Sequence, residues 1–220
     1  MPFSPDNLTV ATFEVRSSRK QMHFRVLKRI IDAVGALILL VLLAPVFVVI
    51  AIVVLVTDGW PIIYRRRVVG PAGEFDAFKF RTMHKDADRL LEQDDELLAA
   101  YRDNFKLKCD PRVTRAGAFL RKFSLDELPQ LFNVLIGQMS LVGPRMITAP
   151  ELEKYGEHQR LLLTVKPGLT GYWQVHGRQE VSYPERVRMD VEYIRTWSLS
   201  KDLQLLWLTP MRVIRGRGAY

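Results

Sequence analysis

The chain has 220 residues, of which 48% are hydrophobic, and a formal net charge of +8. Its single cysteine, Cys109, excludes an intrachain disulfide and suits a cytoplasmic protein, and its scattered histidines give no spacing typical of a zinc site. The positive charge suits anionic lipid headgroups, phosphate-bearing ligands or nucleic acid, and charge alone does not choose among them.

The first predicted element is a long apolar run near the N-terminus. Residues 1–20 are polar and are expected to be flexible, whereas residues 21–32 mix basic and apolar side chains, as in a helix at a membrane surface. Residues 33–57 carry no charge, and about 20 apolar residues suffice for a helix to cross the hydrocarbon core. The run begins too late for a secretory signal, so we interpret it as a retained anchor.

Pro45 lies in the middle of this run and predicts a kink, because proline lacks a backbone donor and its ring clashes with the preceding turn. Basic residues flank both ends, at positions 25–29 and 65–67. The positive-inside rule expects basic flanks on the cytoplasmic side. Two interpretations stay open at this point: a kinked helix that crosses the bilayer once, or a re-entrant helix whose ends stay on one side.

The rest of the chain, residues 59–220, is predicted to form one cytoplasmic domain of the α+β class, mainly α. Two β-rich stretches joined by the turn at residues 70–73 predict a small hairpin over residues 62–83. Helical patterns follow over residues 85–105, 116–122, 128–136, 184–197 and 201–216. The last helix is amphipathic, and its Trp207 suits either the membrane surface or a core contact; Pro210 is expected to kink or divide it.

The segment Ser124-Leu125-Asp126-Glu127-Leu128-Pro129 could carry chemistry. One interpretation is a capping box, with Ser124 as the N-cap and Glu127 reaching back to it. Another makes Asp126 the cap, so that Pro129 falls in the first turn, where proline is tolerated. Either places two carboxylates at a helix start, whose dipole favours their ionised form. An ionised carboxylate can attack phosphorus or hold Mg²⁺ with substrate phosphates.

Scattered cations could face these carboxylates and bind a diphosphate, since arginine suits bidentate phosphate contacts and lysine provides a point charge. Any one of them alone is more simply a solvated surface charge. The set comprises Lys79, Arg81, Arg112, Arg115, Arg121, Lys122 and Arg145.

Residues 167–178 combine glycine turns with Tyr172, Trp173 and polar donors. Such a segment could bind a base or sugar by stacking and hydrogen bonding, or could form a tightly packed hairpin loop. Spacing alone does not decide between these interpretations.

Several motifs together resemble the bacterial sugar transferases, the monotopic polyprenyl-phosphate phosphoglycosyl transferases. In chain order they are KRIID with the Pro-broken apolar run, FKFRTM, DPRVTRAGAFLRK, SLDELPQLFNVLIGQMSLVGPR, KPGLTGYWQVHGR and DVEYIRTWSLSKDLQLL. The resemblance covers about residues 25–215 and is specific, because separate motifs match in the same order.

This resemblance implies transfer of a sugar 1-phosphate from a UDP-sugar to undecaprenyl phosphate, with release of UMP and a requirement for Mg²⁺. It implies a re-entrant helix bent at Pro45, on the cytoplasmic face of the bacterial inner membrane. Asp126 would be the nucleophile that forms a covalent phosphosugar-aspartate, and Glu127 its partner in metal or proton handling. Arg145 would bind substrate phosphate, and Lys79 and Arg121 match positions around the active site.

The chain also departs from the family pattern. Ala44 replaces the usual serine before the kink proline, so the bend is expected to rely on Pro45 and packing alone. Arg66 and Val68 replace the glutamine and arginine that the family usually carries in this strand. The long N-terminal membrane region of the larger subfamily is missing, so the chain is expected to be the catalytic unit alone.

Membrane lipids are expected partners besides the two substrates, nucleic acid is not, and a homodimer stays open. Two rival functions remain: a membrane-anchored basic binding module and an inactive scaffold for glycan assembly. The binding module predicts that Asp126 is dispensable, and the intact pair of Asp126 and Glu127 together with Arg145 speaks against the inactive scaffold. The sequence does not identify the sugar or the glycan pathway.

Overall fold

The computed structural model describes residues 19–93, 98–99, 107, 110–177 and 181–214. The elements in this part of the chain, in order, are helices α1 (Arg19–Leu42) and α2 (Ala44–Asp58), strands β1 (Ile63–Gly70) and β2 (Gly73–Phe80), α3 (Ala87–Glu92), α4 (Arg115–Lys122), a 3₁₀ turn (Leu125–Glu127), α5 (Gln130–Ile136), β3 (Ser140–Val142), α6 (Ala149–Leu152), a 3₁₀ segment (Glu153–His158), α7 (Gln159–Leu162), β4 (Gly168–Thr170), α8 (Tyr172–His176), α9 (Tyr183–Arg195) and α10 (Leu199–Ile214). This is the mainly helical α+β fold that the sequence predicts.

The apolar run forms two helices rather than one kinked helix. α1 ends at Leu42 and α2 begins at Ala44, with Pro45 in its first turn, and the two axes differ by 64°. No single helix among the described residues is long and apolar enough to cross a bilayer, whereas this bent pair reaches that length and hydropathy together. The bend agrees with the effect expected of Pro45, which removes a backbone donor at this point.

Buried polar contacts attach α1 to the rest of the protein. Lys28 donates a hydrogen bond of 2.6 Å to Asp202 of α10, and the Ser140 hydroxyl donates one of 2.8 Å to Asp32. Arg29 donates to the carbonyls of Val134 and Leu135 in the last turn of α5, and the Val134 carbonyl also accepts from the N–H of the capping residue Gly137. These contacts therefore hold the first half of α1 at a fixed position on the folded domain.

The predicted hairpin is confirmed. β1 and β2 pair antiparallel from Ile63 opposite Phe80 to Gly70 opposite Gly73, and Gly73 has a φ of +103°, which a side chain would disfavour. Because side chains alternate along a strand, Arg66 and Lys79 project from the same face. Val68 also lies on this face and is completely buried in the main core.

A second pair of strands, which is parallel, contributes to the core and was not predicted from the sequence. β3 pairs with β4, so residues 168–170 form a strand and α8 follows directly, instead of a hairpin loop. A Cβ at Gly168 would lie 2.1 Å from the backbone nitrogen of Gly143, so only glycine allows this approach. The main buried cluster comprises Ala36, Val68, Phe75, Ala77, Leu131, Val134, Met139, Leu141, Val142, Met146, Val175, Tyr193 and Leu205.

The other predicted helices appear with shifted bounds. The helix predicted over 85–105 is observed over Ala87–Glu92, and most of the remainder lies outside the described residues, as do residues 1–18 of the predicted flexible N-terminus. Pro210 lies inside α10 and does not divide it. This helix packs on the core through Leu205, which is 1% exposed, yet Trp207 is 78% exposed.

Candidate active site

The acidic motif forms a tight turn ahead of α5 rather than a helix cap. Ser124 adopts the left-handed conformation with φ of +54° and makes no capping hydrogen bond through its side chain, so the predicted capping box is wrong. Asp126 is not the cap either, because Leu125–Glu127 forms a 3₁₀ turn and α5 begins only after Pro129. Neither carboxylate therefore caps a helix, and both can contact groups from other parts of the fold.

Glu127 accepts charged hydrogen bonds from two of the predicted cations. Lys79 Nζ and Arg145 Nη2 each lie 2.8 Å from Glu127 Oε1. Burial alone would raise the pKa of this carboxyl, but the charges of Arg145 and Lys79 outweigh burial and hold the pKa well below its usual range. Glu127 is therefore ionised throughout the physiological pH range.

Asp126 lies beside this triad without joining it. Its Oδ2 is 3.9 Å from Lys79 Nζ, too far for a hydrogen bond, and the residue is only 7% exposed. Burial raises the pKa of Asp126, and the neighbouring Glu127 charge adds to this effect, whereas Lys79 and Arg121 oppose it. A carboxylate that is desolvated and not tied by close hydrogen bonds is more reactive than one that is fully paired.

Arg121 lies at the edge of the same group. Its Nε donates to the Thr82 hydroxyl at 2.9 Å, and its charge acts on Asp126 without a direct ion pair. Burial lowers the pKa of Arg121, but arginine stays protonated in proteins. The structure thus brings together Asp126, Glu127, Lys79 and Arg145, with Arg121 close by.

Other predicted cations lie elsewhere. Arg81 donates to the carbonyls of Asp58 and Gly59 at the end of α2, where it satisfies a helix terminus. Arg112 pairs with Asp110 two residues away. Arg115 and Lys122 are exposed on α4.

Four further residues surround the site, of which Glu151 and Arg186 were not predicted from the sequence at all. Arg66 pairs with Glu151 at 3.2 Å, which gives a role to one position left in doubt, while Val68 is simply part of the core. Strand alternation could have placed Arg66 beside Lys79. Trp173 and Arg186 also join the group, but no local pattern relates these two residues because they come from separate helices.

Trp173 does not serve as an open stacking surface for a base or sugar. It is 4% exposed and is covered by Arg145 and Arg186. The neighbouring Tyr172 packs instead beside His176 and Lys201, on another side of α8. The two aromatic residues that the sequence analysis grouped together therefore have different environments.

Asp126 and Glu127 fit a magnesium ion that completes its coordination with substrate. The described residues contain no group of three or more His, Cys, Asp or Glu that could hold a metal by itself. Mg²⁺ commonly uses one or two carboxylates together with substrate phosphates and water. Both cations that bind Glu127 contact the same oxygen, Oε1, so its other oxygen and the Asp126 carboxylate are the candidate donors.

Comparison with known proteins finds relatives that align with most of this chain. The chain is 42% identical over 216 residues to the undecaprenyl-phosphate galactose phosphotransferase of Salmonella typhimurium, an alignment that covers 96% of this chain and 45% of the relative. It is 43% identical over 198 residues to the exopolysaccharide production protein ExoY of Rhizobium meliloti, covering 88% of each. It is 39% identical over 213 residues to the UDP-glucose:undecaprenyl-phosphate glucose-1-phosphate transferase of Xanthomonas campestris pv. campestris, covering 90% of this chain and 41% of the relative.

The chain thus spans about half the length, or less, of several of these relatives and nearly the whole of ExoY. The sequence model of the family described as bacterial sugar transferase matches residues 23–216, which include α2, α1 from residue 23 onward, the acidic turn and the cations around it. With this match over most of its length, the chain belongs to the bacterial sugar transferase family.

Proposed function

We propose that this protein transfers a sugar 1-phosphate from a UDP-sugar to undecaprenyl phosphate and releases UMP. The observation that carries the proposal is the buried pair of Asp126 and Glu127, in which Glu127 binds both Lys79 and Arg145 while Asp126 binds neither closely. The printed names of the relatives from Salmonella and Xanthomonas support this class of substrates.

The reaction would proceed in two displacements at phosphorus. A carboxylate oxygen of Asp126 attacks the phosphorus that bears the sugar, a new oxygen–phosphorus bond forms, and the bond to the bridging oxygen breaks as UMP departs. A phosphate oxygen of undecaprenyl phosphate then attacks the same phosphorus and frees the Asp126 carboxylate. The lipid leaves as a diphosphate that carries the sugar. Separating the steps means that the two anionic substrates need not meet at once.

The neighbouring cations would offset the charge that accumulates in both steps. Arg145 and Lys79 lie against Glu127 and within reach of a phosphate near Asp126, so they can stabilise the transferring group. Their attraction to Glu127 also fixes their positions before substrate arrives. Asp126 and Glu127 would hold Mg²⁺, which when bound would neutralise diphosphate charge and assist departure of UMP.

The apolar helix pair would hold this site at the level of the lipid phosphate. Large apolar side chains are exposed along both helices, for example Leu42 at 68% and Val56 at 79%. The 64° bend and the basic residues beyond both ends support a re-entrant element on the cytoplasmic face of the bacterial inner membrane. A fixed depth would remove much of the entropic cost of aligning the lipid substrate with Asp126.

The experiment measures UMP release by the full chain in detergent or lipid nanodiscs, with Mg²⁺, undecaprenyl phosphate and a panel of UDP-sugars. Asp126→Asn should abolish release, because an amide cannot serve as the nucleophile. Asp76→Asn is the matched control, since Asp76 is an exposed carboxylate on the outer face of the hairpin. A phosphosugar adduct should be detectable on Asp126 when the lipid is withheld.

The rival functions make opposite predictions. A binding module or an inactive scaffold would release no UMP with any donor, and Asp126→Asn would then change nothing measurable. Undiminished UMP release by Asp126→Asn would refute the proposed nucleophile even if the enzyme is active.

A further inference from the structure

Two arginines from different elements share one buried indole ring. Arg145 follows β3, and its Cζ lies 6.0 Å from the ring centroid of Trp173. Arg186 on α9 lies over the same ring, with its Cζ 4.7 Å from the centroid. An arginine that lies over an aromatic face can keep N–H groups of its guanidinium available for hydrogen bonding. Trp173 therefore links Arg186 to the arginine that binds Glu127.

Arg186 shares with Arg121 the property of having no carboxylate partner among the described residues. Its guanidinium donates through Nε to the carbonyl of Val181, at 3.3 Å. Arg66 pairs with Glu151, and Lys79 and Arg145 pair with Glu127. Burial and the nearby charge of Arg145 both lower the pKa of Arg186, which is nevertheless charged. A partly desolvated cation of this kind is stabilised by an incoming anion.

The charges of the group as a whole favour an anionic ligand. Basic side chains in the group are Arg66, Lys79, Arg121, Arg145 and Arg186, and the carboxylates among them are Asp126, Glu127 and Glu151. Positive charge remains in excess even when Asp190, which is close enough to interact with Arg145 and Arg186, is counted as ionised. Glu127 already uses two of the cations and Glu151 a third, which leaves Arg121 and Arg186. Arg121 lies on α4, which packs on the apolar helix α2, so Arg186 is the one better placed to meet the phosphate of a water-soluble ligand.

We infer that Arg186, supported by Trp173, binds the phosphate that departs with the nucleoside, and so contributes to the site for the nucleotide half of the donor. This rests on the proposed function. α9 packs on α7, α8 and the 3₁₀ segment Glu153–His158, whereas α2 packs on α4 and β2. Arg186 thus lies on the part of the domain away from α2, which favours the water-soluble nucleotide over the lipid phosphate as its ligand.

The test measures equilibrium binding of UDP to the purified full chain, which requires no turnover. Arg186→Gln should weaken UDP binding about tenfold or more, the loss expected for one charge-assisted hydrogen bond. Arg186→Lys keeps the charge but not the planar fork and should weaken binding less. Arg188→Gln is the matched control, because Arg188 lies on the same helix, carries the same charge and pairs on the surface with Glu185.

Steady-state kinetics separate the two phosphate sources. Arg186→Gln should raise KM for the UDP-sugar and leave KM for undecaprenyl phosphate unchanged. A rise confined to the lipid KM would overturn the assignment to the nucleotide, and UDP affinities equal to those of Arg188→Gln would overturn it as well. If Arg186→Gln fails to fold, as judged by thermal unfolding, equal UDP affinity of Arg186→Lys and wild type would refute the inference.

Failure of the inference about Arg186 is distinguishable from failure of the proposed function. A wild-type protein that releases no UMP with any donor would remove the proposed reaction, while the comparison of UDP affinities would still decide the role of Arg186. A wild-type protein that does not bind UDP would refute the inference directly.

Discussion

The attachment of α1 to the domain leads to a quantitative prediction about Lys28 and Asp202. Asp202 is 3% exposed and accepts three hydrogen bonds, from Lys28 at 2.6 Å, from the Tyr193 hydroxyl at 2.7 Å and from the Trp197 indole at 3.1 Å. These donors come from three parts of the chain, so one carboxylate joins α1, α9 and α10. Such a contact should contribute far more to stability than an exposed ion pair does.

The magnitude follows from what each substitution leaves behind. Asp202→Asn leaves the mostly buried Lys28 ammonium with only the more distant Asp32 carboxylate, 4.0 Å away. Lys28→Met leaves the buried Asp202 carboxylate without its cation. Lys28→Met should lower the free energy of unfolding by about 3 kcal/mol or more, because an uncompensated buried charge is strongly destabilising. Asp202→Asn should lower it by less, because Asp32 still faces Lys28. The double variant should cost clearly less than the sum of the two, with a coupling free energy of about 2 kcal/mol.

The assay is denaturant unfolding in a fixed detergent concentration, followed by circular dichroism, for the wild type, both single variants and the double variant. Arg67→Met serves as the control, since its pairs with Glu74 and Asp76 are solvent-exposed and should contribute nothing measurable. A coupling free energy below about 0.5 kcal/mol, the value typical of surface pairs, would refute the reasoning.

Three further predictions concern pH and topology. Lys79→Gln should move the acidic limb of the activity profile to higher pH, because Lys79 lowers the pKa of Asp126, which must be ionised to attack; an unmoved limb would contradict this. Burial raises the pKa of Asp190 to about 7 in the folded protein, against about 4 in the unfolded chain, so the folded state binds the proton more tightly. The free energy of unfolding should therefore decrease as pH rises from about 4 to about 7. Asp190→Asn, which can keep the hydrogen bond from Tyr155, should flatten that decline in the thermal unfolding midpoint measured across pH. Pro45→Ala should straighten the apolar pair, so that cysteine labelling finds the chain ends on opposite faces in part of the population, whereas wild-type ends label on one face.

Local sequence features predicted the elements whose physics is local. The hairpin was predictable because Gly70 and Gly73 bracket a two-residue turn between a β-branched stretch and a partly alternating one. The bend was predictable because Pro45 lacks the backbone donor that a continuous helix needs. The pairing of β3 with β4 was not, since parallel strands join segments far apart in the chain and only the tertiary fold brings them together.

The acidic turn shows where local reasoning fails. The spacing of Ser124 and Glu127 is that of a capping box, and in an isolated helix Glu127 would gain most by bonding the backbone. In the fold, Lys79 and Arg145 offer the same carboxylate two charge-assisted hydrogen bonds, which are stronger than a neutral one. Tertiary charges therefore override a local preference at this position. Arg186 could not be found from local pattern for a related reason, because its partner ring lies on another helix.

The different surroundings of the two carboxylates suggest why the site needs both. Arg145 and Lys79 would bind a lone nucleophilic aspartate so closely that its reactivity would fall, and without any anion nearby the two cations would repel each other. Glu127 accepts both of them on one oxygen and so keeps them beside Asp126 without tying Asp126 itself. On this view Glu127→Gln would reduce activity mainly by releasing the two cations toward Asp126. The pKa of Asp126 should then fall, because Glu127 no longer repels it and the cations approach it, and the acidic limb of the activity profile should move to lower pH, opposite to the shift expected for Lys79→Gln.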